Sequence, residues 1–71
     1  METISITTEF IRLQDLMKLA SLTATGGEAK IRIQAGEVSV NGSVCLQRGR
    51  KLREGDVVAF AGRTYRVAYA P

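Results

Sequence analysis

The residues best suited to chemistry are basic and crowd into one short segment. Arginine binds phosphate well because its planar guanidinium can donate to two oxygens at once, and lysine adds a compact point charge. Four of the ten basic residues fall within six positions: Arg48, Arg50, Lys51 and Arg53. This density predicts a surface that attracts phosphate groups. The same pattern fits a solvated hairpin loop, so the segment alone leaves both interpretations open.

A second candidate site lies at two consecutive glycines, Gly26 and Gly27. They begin a predicted helix, where backbone N–H groups lie at the positive end of the helix dipole, and glycine leaves those groups unobstructed. Lys30 follows one turn later, and Gln34 shares its face because residues four apart on a helix are neighbours. These features favour a phosphate at the helix start. The competing interpretation is a tight turn between helices that binds no ligand.

The composition argues against catalysis and metal binding. The chain has no histidine and one cysteine, Cys45, so zinc ligands, the usual general base and a Cys–His nucleophile are missing. A lone cysteine cannot form an internal disulfide, which suits a reducing compartment. We predict that Cys45 is a packed or half-exposed apolar residue rather than a redox site, and we expect no catalytic residue, no metal and no cofactor.

Length and hydropathy predict one small folded domain over residues 1–71. A hydrophobic fraction of 45% is typical of a globule rather than a disordered segment, and the net charge of +3 is a mild basic bias. No apolar run approaches the roughly 20 residues needed to span a bilayer, and the first residues lack the features of a signal peptide. We expect a cytoplasmic monomer with no membrane association.

The elements of the N-terminal half are predicted to be a strand and two helices. Polar and apolar residues alternate over residues 3–7, as in a half-buried strand. Apolar side chains on one helical face predict a helix over residues 13–21: Leu13, Leu16, Met17 and Ala20. Thr25 and Glu28 match a capping box, in which the Thr25 hydroxyl accepts from the Glu28 amide and the Glu28 carboxylate from the Thr25 amide. A second helix should then cover residues 26–35, with Gly36 left-handed after it and a linker of about four residues before it.

The C-terminal half is predicted to be mostly strands. Asn41-Gly42 between apolar runs is a strong hairpin signal and joins strands over residues 37–40 and 43–46. A basic loop over residues 47–53 follows, then strands over residues 57–60 and 63–69. We expect the last to be an edge strand, because Arg63 and Arg66 flanking Tyr65 would protect an edge from further pairing. The order of strand, two helices and several antiparallel strands indicates an α+β fold.

At this level of detail the sequence resembles a known family. The ordered set of matching residues is Thr25-Gly26-Gly27-Glu28-Ala29-Lys30, Ile33, Gly36, Val38, Val40-Asn41-Gly42 and the run from Arg48 to Val58. It is similar to the RNA-binding domain first described in ribosomal small-subunit protein four. Residues 9–20 look like the corresponding segment of small bacterial proteins that consist of little else. The likeness covers nearly the whole chain.

The resemblance implies a fold, a ligand and a set of contacts. In the family a two-helix hairpin packs on a small curved antiparallel sheet, called the αL motif, and RNA is held by the second helix and a nearby basic loop. The implied ligand is structured RNA, ribosomal or tRNA-like, bound without catalysis and in association with the ribosome. The implied RNA contacts are Gly26, Gly27, Lys30, Gln34, Arg48, Arg50, Lys51 and Arg53.

Two alternatives belong to other functional classes. A ubiquitin-like sulfur carrier can share a Val-Asn-Gly hairpin and a Gly-Asp-Val-Val strand, but it needs a C-terminal diglycine, and this sequence ends Tyr69-Ala70-Pro71. A protein-interaction module that docks on a ribosomal or replication factor fits the same composition. RNA affinity that falls steeply with salt would separate RNA binding from protein docking.

Overall fold

A computed structural model describes residues 1–71 as two helices and seven strands. The predicted order of strand, helical hairpin and strands is confirmed. The elements are β1 (Glu2–Ile6), β2 (Ile11–Arg12), α1 (Leu13–Leu19), α2 (Gly26–Gln34), β3 (Val38–Val40), β4 (Ser43–Val44), β5 (Lys51–Leu52), β6 (Val57–Phe60) and β7 (Arg63–Tyr69). Neither helix has the length and apolar character that a membrane crossing requires.

Five strands form the main sheet, in the order β1-β7-β6-β3-β4. All neighbours in it are antiparallel except β1 and β7, which pair in parallel with Ile4 opposite Val67. The α+β prediction is confirmed, but the sheet is mixed rather than wholly antiparallel. A parallel pair of strands needs a long connection that crosses from one end of the sheet to the other. In this protein the connection contains every element between β1 and β7.

The prediction that the last strand lies at an edge is wrong. β7 lies between β1 and β6, and the edge strands are β1 and β4. Tyr65 of β7 is buried, with 2% of its surface exposed. The Arg63 guanidinium donates to both oxygens of Glu2 on β1, with a shortest distance of 3.0 Å. This hydrogen bond, together with the charges of Glu2 and Tyr65, raises the pKa of Arg63. Arg63 therefore ties two strands together instead of protecting an edge.

One face of the sheet and the two helices enclose the core. α1 contributes Leu13, Leu16 and Met17, as the helical spacing predicts, and α2 contributes Ala29 and Ile33. The sheet contributes alternate residues of its strands, since successive side chains point to opposite faces. These buried strand residues are Ile6, Val38, Val40, Val58 and Val67, and Cys45 and Leu52 complete the cluster. The prediction that Cys45 is packed is confirmed.

Residues with left-handed backbone end or turn the elements where the sequence predicts them. Gly36 follows α2 at φ 80°, and Asn41 and Gly42 form the β3–β4 turn at φ 51° and 85°. Positive φ at both central residues is typical of the two-residue hairpin turn whose twist matches the twist of the flanking strands. α1 is shorter than predicted, because Ser21 also takes a left-handed conformation, at φ 58°. The helix cannot continue through it, and the linker to α2 is residues 20–25.

Candidate nucleic-acid interface

The basic segment, residues 47–53, is a braced ribbon rather than a free loop. We call this segment the basic ribbon. β5 within it pairs antiparallel with β2, so that Lys51 lies opposite Arg12 and Leu52 opposite Ile11. Leu52 is fully buried and anchors the segment in the core. Two further hydrogen bonds attach the segment to the start of α1. The Leu13 amide donates to the Arg50 carbonyl at 2.9 Å and the Gln14 amide to the Arg48 carbonyl at 3.0 Å. The predicted loop over residues 47–53 therefore contains a short strand that the sequence pattern did not reveal.

The cationic side chains of this ribbon form no ion pairs. Arg48, Arg50, Lys51 and Arg53 are exposed, and none forms an ion pair. The two ion pairs of the protein lie elsewhere, between Arg32 and Glu37 and between Arg63 and Glu2. Concentrated positive charge whose side chains are not held in ion pairs attracts anions.

Two residues that sequence reasoning missed belong to the same surface. Arg12 enters it as the cross-strand neighbour of Lys51. Phe10 precedes β2, and three cationic groups lie about its ring. The Lys51 Nζ atom is 4.8 Å from the ring centroid, and the guanidinium carbons of Arg53 and Arg12 are 5.8 and 6.0 Å from it. Both residues reach the cluster only through the pairing of β2 with β5, which joins positions about 40 residues apart in the sequence. No local sequence pattern indicates such a pairing.

The start of α2 is capped much as predicted. The Thr25 hydroxyl accepts from the Glu28 amide at 3.1 Å. The Glu28 carboxylate accepts from the amide of Ala24, at 2.9 Å, rather than from that of Thr25. The amides of Gly26 and Gly27 donate to no protein acceptor, as expected for the first residues of a helix.

Neither glycine at the start of α2 is required by the fold. Both are helical, and neither has a positive φ. A Cβ atom at Gly26 would meet nothing within 4 Å, and one at Gly27 would meet only the Thr25 hydroxyl, at 3.9 Å. The interpretation of these glycines as a tight turn between the helices is therefore wrong, because the turn precedes them. A side chain would fit at either position, so the fold itself does not account for the two glycines.

The remaining predicted contacts lie along α2. Lys30 is half-buried and Gln34 is exposed, and neither side chain has a protein partner. On the other flank of the helix Arg32 pairs with Glu37 at 3.4 Å. No hydrogen bond or ion pair joins the α2 residues to the basic ribbon. α1 contacts both, since it packs against α2 and bonds to the ribbon at its first turn.

A carboxylate braces the far end of the ribbon. Asp56 accepts from the Arg53 amide at 2.8 Å and from the Asn41 side-chain amide at 3.1 Å, and Asn41 accepts in turn from the Val57 amide at 2.9 Å. Burial of Asp56 acts to raise its pKa. The two hydrogen bonds and the charges of Arg50 and Arg53 outweigh burial, so the pKa is lowered. The brace ties the basic ribbon to the β3–β4 turn.

A family model described as the S4 domain matches residues 4–68. The chain belongs to the S4 domain family. The resemblance noted from its sequence motifs is confirmed, and the match includes both the basic ribbon and the start of α2.

Two bacterial relatives are similar to this S4 domain over most of their length. "Probable ribosome maturation protein RlbA" of Bacillus subtilis is 48% identical over 59 residues, which is 83% of each chain. YbcJ of Escherichia coli is 39% identical over 57 residues, covering 80% of this chain and 81% of that protein.

Solved structures share the fold. The solution structure of Escherichia coli YbcJ is described as revealing an αL motif involved in RNA binding. It covers 96% of this S4 domain and 87% of its own chain with a TM-score of 0.72 and 36% identity. Ribosomal protein S4e from Thermoplasma acidophilum matches 90% of this domain with 34% of its own chain, at a TM-score of 0.67 and 24% identity. The predicted αL fold is confirmed.

The Asp56 brace makes the stability of this S4 domain depend on pH. A carboxylate whose folded pKa is lowered stabilises the fold above its unfolded pKa, about 3.9, and the contribution is lost as pH falls through the folded value. We expect Asp56→Ala to lower the free energy of unfolding at pH 7 by about 1 kcal/mol. The difference from the unmodified protein should shrink in acid, when the native carboxylate is protonated too.

Urea denaturation of both proteins at neutral and acid pH measures this difference. Glu9→Ala is the matched control, since Glu9 is exposed and makes no hydrogen bond, and it should change little at either pH. If the free energy of unfolding of Asp56→Ala stays below that of the unmodified protein by the same amount in acid, the carboxylate charge does not stabilise the ribbon.

Proposed function

We propose that this S4 domain is a non-catalytic RNA-binding protein that holds structured RNA by its phosphates. The observation that carries the proposal is the basic ribbon, whose exposed cationic side chains form no ion pair. The proposed contacts are Arg48, Arg50, Lys51 and Arg53, with Arg12 added by the pairing of β2 and β5.

Rigidity of the ribbon supports this role. Flexible basic tails lose conformational entropy when they order on a ligand. Here the backbone that carries the cations is already held by the β2–β5 pair, by the amides of α1 and by the Asp56 brace. The backbone positions that carry the cations are thus fixed, which suits the regular phosphates of an RNA stem better than a flexible strand.

The start of α2 supplies the second part of the proposed surface. Gly26 and Gly27 have amides with no protein acceptor and no side chain to obstruct them. Such amides can donate to a phosphate at the positive end of the helix dipole. Lys30 and Gln34 would extend the contact along the helix, the lysine as a charge and the glutamine as a hydrogen-bonding group.

The relatives suggest which RNA is bound. The Bacillus subtilis protein is named for ribosome maturation and the YbcJ structure for an RNA-binding motif. We therefore propose structured ribosomal RNA as the ligand, with a tRNA-like stem as the second choice, and association with the ribosome. Residues 1–71 would act as one monomeric domain in the cytoplasm, with no metal or cofactor.

Titration with two RNAs at several salt concentrations tests the proposal. A hairpin with an A-form stem should bind more tightly than poly-uridine, because shape and 2′-hydroxyls add to phosphate contacts. If about four phosphates are neutralised, the logarithm of the binding constant should fall with that of salt at a slope of roughly −3 to −4. Equal binding of both RNAs would contradict the preference for a stem, and a flat salt response would favour a protein-docking role.

A further inference from the structure

Phe10 is an aromatic side chain that the hydrophobic core does not use. It is half-buried, yet the partly buried apolar side chains that pack against the core are Ile4, Ile11, Leu22 and Phe60. The other phenylalanine of the chain, Phe60, therefore has a packing role and Phe10 has none. Its ring lies instead beside Arg12, Lys51 and Arg53.

Three cations converge on this ring although they repel one another. Arg12 and Lys51 lie directly opposite on paired strands, where like charges are destabilising. Together with Arg53 they lie within 6.0 Å of the Phe10 centroid, and none forms an ion pair. The negative face of the ring offsets part of the repulsion. An anion placed among the cations would remove more of it.

We propose that Phe10 stacks on the base of one unpaired nucleotide while the cations around it bind the flanking phosphates. This inference rests on the proposed RNA binding and adds to it a class of ligand, a stem that carries an unpaired nucleotide. Aromatic rings beside arginine and lysine are typical of sites that take single-stranded nucleotides, since every base has a flat face. Bases inside a stem are stacked on each other and cannot reach the ring. Stacking of this kind tolerates any base.

A simpler role for Phe10 would be to orient the three cations. That role and the proposed one differ in their dependence on the base. If the ring only orients cations, removing the base from the RNA and leaving its sugar and phosphate changes nothing. If the ring stacks, the base and the ring contribute together, and removal of either one eliminates the contribution of both.

The test combines a protein variant with a modified RNA. The RNA is a hairpin with unpaired nucleotides in its loop and in a short tail, compared with the same hairpin in which those positions are abasic. Stacking on one base is worth about 1 to 3 kcal/mol, so the unmodified protein should bind the abasic RNA roughly 5- to 150-fold more weakly. Phe10→Leu should bind both RNAs equally, at the level of the abasic complex, and Phe10→Tyr should behave like the unmodified protein.

Fluorescence gives a second readout. The chain contains no tryptophan, so Phe10→Trp introduces a single reporter, whose emission should be quenched when a base stacks on it. Hairpin binding by Phe10→Trp without quenching, or equal binding of intact and abasic RNA by the unmodified protein, would overturn the stacking role and leave the RNA-binding function standing. Failure of the unmodified protein to bind any hairpin would overturn the RNA-binding function itself. The abasic comparison needs no variant, so it decides the matter even if Phe10→Leu does not fold.

Discussion

Replacing Arg48, Arg50 and Lys51 together with alanine should weaken binding of an RNA hairpin by about a hundredfold, if each lost phosphate contact contributes about 1 kcal/mol. All three side chains are exposed and have no ion-pair partner. Exposed substitutions of this kind change stability by less than about 0.5 kcal/mol. The backbone bonds that hold the ribbon to α1 do not involve these side chains, so the fold should remain.

A second triple variant separates the position of the charge from its amount. Lys18, Arg32 and Arg66 also carry three positive charges, and all are exposed outside the ribbon. Changing these three to alanine alters the net charge equally, yet should reduce RNA affinity only severalfold. Hairpin titration and circular dichroism of both variants measure binding and folding. Equal losses in the two variants would mean that RNA responds to net charge and not to the ribbon.

Replacing Gly27 with valine is expected to weaken binding by about tenfold while the helix stays intact. The new side chain would stand over the amides of Gly26 and Gly27 and block the approach of a phosphate, which removes about one charge-assisted hydrogen bond. The fold itself has room for a side chain there, since the only neighbour within 4 Å is the Thr25 hydroxyl. Valine also has a higher helix propensity than glycine, so the melting temperature should not fall.

Thr25→Ala is the matched control for the glycine variant. It removes the hydroxyl that accepts from the Glu28 amide, and loss of such a cap typically lowers stability by about 1 kcal/mol. Binding per folded molecule should be unchanged, because the threonine is not a proposed RNA contact. The melting temperature and RNA affinity of both variants separate the two roles. If Gly27→Val unfolds the protein but binds normally when folded, the phosphate role passes to Lys30 and the ribbon.

Features encoded by neighbouring residues could be predicted from the sequence. The apolar spacing of α1, the Thr25 cap of α2, the left-handed Gly36 and the Asn41-Gly42 turn all depend on residues within a few positions of each other. Local hydrogen bonding and sterics decide such features. The basic surface was also predictable in outline, because its densest part lies within one short segment.

Features created by distant pairing could not be predicted in this way. Two strand pairs, β1 with β7 in parallel and β2 with β5, join segments that are far apart in the sequence and are not connected by a single tight turn. No local signal marks such a pair, and this is why β7 was expected at an edge and residues 47–53 as a loop. The pairing of β2 with β5 also places Phe10 and Arg12 among the cations. Where a side chain joins the surface only through long-range pairing, its place in that surface is visible only in the structure.

Mapping amide chemical shifts by NMR while an RNA hairpin is added tests the central claim most directly, because it locates the contact surface without any substitution. We predict that the largest changes fall on two groups, the amides of Gly26, Gly27 and Lys30 and those of residues 48–53. The face of the sheet away from the helices, around Thr3, Ser39 and Arg66, should change little. Changes confined to that face, or none at saturating RNA, would contradict the assignment of the basic ribbon and the start of α2 as the RNA-binding surface.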